Sequence, residues 1–112
     1  MRRFALGLTL VAALEDGRMV IPRQADDIHQ PEDKLLVFAS NGTMTEMPLD
    51  DRCINAHVVY AVPGWPDAVL VVCEGHHIEP GTLVMIDLST GAVLSSAQAG
   101  VFPDAAAWVI PW

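Results

Sequence analysis

From Cys53 to Trp112 the sequence contains no lysine and no arginine. All six cations, Arg2, Arg3, Arg18, Arg23, Lys34 and Arg52, lie in the first 52 of its 112 residues. Charged residues of either sign make up only 18% of the chain, against roughly 25% in ordinary soluble domains. The net charge of −8 excludes a non-specific grip on nucleic acid phosphates, which needs clustered cations. No apolar run reaches the ~18 residues of a membrane-spanning helix. Glycine and proline, eight each, show no period, which excludes collagen. There is no Gly-x-Ser-x-Gly elbow, no phosphate-binding glycine loop before the sole lysine, Lys34, and no His-Glu-x-x-His. Paired carboxylates occur only as neighbours in polar stretches, a poor basis for acid–base catalysis, which needs an enclosed site to shift a pKa.

What the chain does have is apolar surface to bury. Hydrophobic residues make up 52%, too many for a solvated disordered segment, and the length suits one domain with its own core. Met1-Arg2-Arg3 followed by Phe4–Leu14 has the outline of a short signal peptide, with Val11-Ala12-Ala13 as a cleavage site. Against that reading, the stretch is brief, runs into Glu15-Asp16, and alternates large with small residues as a strand does. The expectation is a retained N-terminal strand in a soluble, cytoplasmic protein.

Turn dipeptides divide the rest into hairpins. Asp16-Gly17 separates the first strand from Arg18–Ile21 and suggests a type I′ turn, with Pro22 ending the second strand. Leu35–Ala39 and Met44–Met47 flank Asn41-Gly42. With Thr43 this turn also matches a glycosylation acceptor, but the hairpin reading is preferred. Ala56–Val62 and Ala68–Cys73 flank Pro63-Gly64-Trp65-Pro66, and Thr82–Leu88 and Ala92–Ala97 flank Ser89-Thr90-Gly91. Arg23–Asp33 and Pro48–Asn55 read as loops. Val101–Trp112 suggests one helical turn and a closing strand. The pattern predicts a single all-β domain over residues 1–112, a small antiparallel sandwich or barrel of about eight short strands in consecutive hairpins.

The segment Thr82–Ala97, TLVMIDLSTGAVLSSA, resembles the hairpin of a β-propeller blade: an Asp closes one strand, a Thr-Gly turn follows and an apolar strand returns. One blade cannot close a propeller and no second copy of these letters stands elsewhere in the chain, so the resemblance implies no function. Gly75–Gly91 resembles a stretch of a cupin barrel without matching that family's His and Glu pattern.

The charge asymmetry admits two readings. Residues 53–112 carry five acids and no cation, a net charge of −5 with histidine neutral. Either this half supplies the core of an interleaved fold, or it presents an anionic-to-apolar face meant to be covered. On the second reading the docking residues are Trp65, Tyr60, Trp108 and Trp112, aided by the acidic loops at Asp26-Asp27 and Asp50-Asp51. Trp65, held between Pro63-Gly64 and Pro66, is the best single anchor; the alternative is that it packs on those prolines. His76-His77-Ile78-Glu79 is the one cluster of metal-ligand types. Alternation lets His77 and Glu79 share a face but sends His76 to the other, so further ligands such as His29, His57 or Cys73 would be needed. Cys53 and Cys73, if paired, close a loop of about 20 residues; unpaired, Cys73 is a small buried apolar residue.

The resulting expectation is a non-enzymatic interaction protein, an acidic inhibitor or immunity-type protein or an assembly subunit. It would bind another protein, one with a basic surface, and homo-oligomerisation is compatible. No cofactor, nucleic acid or membrane is expected. The alternative is a small metal-dependent enzyme or ligand binder built on His76, His77 and Glu79.

Overall fold

The computed structural model describes residues 11–23, 33–75 and 80–98. Over these the chain is all-β. Strands β1 (Ala12–Ala13), β2 (Met19–Arg23), β3 (Lys34–Phe38) and β4 (Met44–Pro48) form one antiparallel sheet in chain order. Strands β5 (Ala56–Val62), β6 (Trp65–Cys73), β7 (Thr82–Asp87) and β8 (Val93–Gln98) form a second, also in chain order. A 3-10 turn at Asp50–Arg52 lies in the connection between them.

The tight turns follow from where glycine stands. Gly17 and Gly42 both take positive φ, +93° and +90°, and the residues before them do not. Each hairpin is therefore a type I turn closed by a left-handed glycine, a three-residue loop, and the type I′ expectation at Asp16-Gly17 is corrected. The hydrogen bonds match. Gly17 N–H donates to Leu14 C=O at 3.0 Å and Gly42 N–H to Ala39 C=O at 2.9 Å. Asp16 Oδ1 accepts from Arg18 N–H at 3.1 Å, as Asn41 Oδ1 does from Thr43 N–H at 2.9 Å. In the second sheet the turn is narrower than expected, because β6 already begins at Trp65, paired with Val62. Pro63 and Gly64 alone reverse the chain, with Gly64 at φ +81°.

Pro22 also departs from expectation. It lies inside β2, buried and paired with Leu35, instead of ending the strand.

The two sheets share one core. Val20, Leu35 and Leu49 from the first half meet Val59, Val69, Val71, Val84 and Ile86 from the second in one buried cluster. Ala56 and Val59 both join it, although three residues apart, because a register shift between Ala56 and Val58 resets the alternation. Among the described residues, twelve of the seventeen buried apolar ones lie at or after Cys53, so the cation-free half supplies most of the described core.

Polar and covalent fastenings also join the sheets. Asp33, only 3% exposed, accepts the Ala56 N–H through Oδ2 at 2.7 Å, and its backbone C=O accepts from Leu49 N–H at 2.9 Å. Arg52 donates to the backbone carbonyls of Leu49, Pro48 and Gly91. Cys53 and Cys73 form a disulfide with a Cα–Cα distance of 5.3 Å, which ties the inter-sheet connection to the end of β6. Cys73 is thus a bridged residue and not a free buried thiol. In the chain-entropy account a bridge of this separation contributes about 3 kcal/mol.

Two expectations follow for stability. Asp33→Ala orphans the buried Ala56 N–H and should cost about 1–3 kcal/mol by urea denaturation. Gly17→Ala should cost more than Gly42→Ala. Both force an L side chain into the left-handed region at about 1 kcal/mol, but at Gly17 the new Cβ meets Ser40 Cβ at 3.2 Å while at Gly42 it meets open space.

Candidate functional site

The strongest surface feature is the tip of the β5–β6 hairpin. Trp65 opens β6 directly after the Pro63-Gly64 reversal and is 57% exposed. It stands between two grooves. One, of about 470 Å³, runs back to Ala13, Leu14 and Glu15 of the first sheet. The other, of about 260 Å³, is lined by Asp67, Ala68, Asp87 and Leu94. Gly64, Trp65 and Pro66 line both.

Arg18 positions this tip. Its guanidinium bonds Asp16 and Asp67, each at 2.8 Å, and donates to the Pro66 carbonyl at 3.0 Å. One side chain from the first sheet thereby holds the backbone beside Trp65 in the second. Glu15, Asp16, Asp67 and Asp87 bring four carboxylates to the surroundings of the grooves against this single guanidinium. Asp87 is held below the usual carboxylate range, first by the Ser89 hydroxyl at 2.6 Å and then by the Ser89 N–H at 2.8 Å. The arrangement is an exposed indole with apolar flanks and an anionic rim.

The other expected residues fall elsewhere. Tyr60 is half-buried in β5, across from Leu70, and lines neither groove. Asp50 is exposed in the 3-10 turn between the sheets and also lines neither. The side chain of Asp51, together with Asp26, Asp27, Trp108, Trp112, His76, His77 and Glu79, lies outside the described residues. Among the described residues no three His, Cys, Asp or Glu side chains converge to hold a metal ion. The Cys73 sulfur, bonded to Cys53, offers no thiolate. His57 Nδ1 lies 3.5 Å from the buried carboxylate of Glu74, a structural pair at the edge of the core. Reasoning from the letters singled out Trp65 but not Arg18, Asp67 or Asp87. The Arg18–Asp67 bond spans 49 positions, and no local signal links its ends.

Among the described residues no helix is long and apolar enough to cross a membrane. Comparison with protein families, with curated proteins and with solved structures finds no match to this chain.

Proposed function

We propose that this chain is a non-enzymatic protein–protein interaction module. It engages a partner with a basic surface through the Trp65 tip, in an inhibitory or an assembly role. The observation that carries this reading is the exposed Trp65 between two grooves, set among four carboxylates. Rigid aromatic anchors dominate binding energy when a partner pocket desolvates them, and surrounding charge steers encounter. The docking surface is narrower than the whole cation-free half, since β5, β6 and β7 are largely consumed by the core. The disulfide supports folding in an oxidising compartment and argues against the cytoplasmic expectation. No contact among the described residues favours the metal-dependent alternative.

The test is capture of the partner on immobilised protein, with Trp65→Ala compared to the parent chain. The variant should lose at least tenfold in affinity while its melting temperature stays within about 2 °C, because an exposed side chain contributes little to the fold. A large fall in melting temperature with unchanged capture would make Trp65 a packing residue. Capture should also weaken with rising salt, which screens the rim carboxylates.

A further inference from the structure

The two sheets end on edges of different character. Among the described residues β4 has one neighbour, β3, and β8 has one neighbour, β7, so each presents a row of outward backbone N–H and C=O groups. Folded chains guard such rows with charge, proline or cover. β4 is guarded. It ends on Pro48, which has no N–H, and carries Glu46, ion-paired with Lys34 at 2.9 Å. β8 is not. Its residues, Val93-Leu94-Ser95-Ser96-Ala97-Gln98, include no charge and no proline, and all of them are exposed. Val93 is 40% exposed and Leu94 43%, so the strand stands open to solvent. A register shift beside Ile86 lies at its first turn of pairing and leaves residues 95–98 in regular register with β7.

This open edge begins at the Trp65 tip. Leu94 lines the groove of about 260 Å³ together with Trp65, Pro66, Asp67, Ala68 and Asp87. Asp87 closes β7 opposite Ala68, and its neighbour Ile86 pairs with Val93. Among the described residues Asp87 forms no ion pair; the Ser89 hydroxyl and N–H orient its carboxylate through Oδ1. Asp67 gives one oxygen to Arg18 at 2.8 Å, and its side chain remains 59% exposed. No lysine or arginine follows Arg52, so the second sheet offers no cation of its own to either acid.

We propose that β8 is a strand-acceptor edge: the partner that docks on Trp65 adds an extended segment to the sheet beside β8 and lays an arginine of that segment in the groove of Trp65, Asp67 and Asp87. The inference rests on the reading of Trp65 as a docking anchor and names the form its partner takes there. Main-chain hydrogen bonds to a sheet edge supply affinity for any extended segment, and a side-chain pocket supplies selection. Strands lie about 4.8 Å apart, so a residue opposite the start of β8 must cross Leu94 to reach Asp87, which calls for a long side chain. A guanidinium on its stem has that length, pairs with carboxylates through a planar fork and lies flat on an indole. Lysine has the length without the plane. Charge selects a partner over a second copy of this chain, whose β8 would bring no cation to the groove.

The test follows backbone amides by NMR in the intact, oxidised chain as peptide is added. The probe is Ac-Thr-Val-Arg-Val-Thr-Val-NH2, with the peptides that move its arginine to each other position. At least one should bind with a Kd of about 1 mM or tighter, shifting the β8 amides and the Trp65 indole N–H in the same titration. Citrulline in place of that arginine, similar in shape and neutral, should weaken binding at least tenfold. Asp87→Asn, which keeps an oxygen for Ser89, should do the same, and N-methylation of the peptide's edge-facing amides should abolish binding. The inference is overturned if no peptide moves β8, if the shifts fall on β4, or if the citrulline peptide binds equally well. Concentration-dependent β8 shifts in the protein alone would put a second copy on the edge and overturn it too. The two readings fail separately. Loss of partner capture in Trp65→Ala with a silent β8 removes this inference and keeps the anchor, whereas β8 shifts with capture indifferent to Trp65 keep the acceptor edge and remove the anchor.

Discussion

Everything in this molecule depends on the burial of one sheet face against another. Neither four-stranded unit could stand alone, because a single meander leaves its apolar side in water. Val20, Leu35 and Leu49 have no purpose without Val59, Val69, Val71, Val84 and Ile86 opposite them. Burying side chains of this size stabilises by about 1.5–3 kcal/mol each, so this cluster outweighs any polar contact in the fold. The rest of the structure sets the angle and register at which the two faces meet.

The polar fastenings are best understood in that light. Asp33 supplies the partner that the first backbone N–H of β5 would otherwise lack, and does so from the position just before β3. The disulfide fixes the connecting segment to the far end of β6, and Arg52 binds three carbonyls around that segment. Asp50 and Asn55, at φ +52° and +63°, bend the connection through the left-handed region, a conformation that Asp and Asn tolerate better than most residues. Arg18 performs the same service at the other site of interest, where it holds Pro66 and Asp67 so that Trp65 projects. Surface shape here is a consequence of how the sheets are joined.

Much of this was legible from residue order. The glycine turns and β-rich runs predict eight strands in consecutive hairpins, and among the described residues the strand bounds differ from expectation by only a few residues; the expected strand start at Phe4 and the expected closing elements in Val101–Trp112 lie outside the described residues. β6 starts at Trp65 and not Ala68, and β2 runs through Pro22. The sheet partnership was not legible, for a physical reason. Runs such as Leu35-Leu36-Val37-Phe38 and Val69-Leu70-Val71-Val72 are apolar at every position, so alternation cannot say which face packs on which. Trp65 was legible because two prolines and a glycine flank it. The charged frame around it was not, because it joins residues from both sheets.

The most direct measurement of the central claim is native-state hydrogen exchange, followed residue by residue. If the two sheets share one core, the slowest amides of β2 and β3 and those of β6 and β7 exchange through a single opening, with one common free energy and one common dependence on urea. Two separate sets of protection, one sheet opening while the other stays closed, would contradict the account and leave two meanders that merely touch.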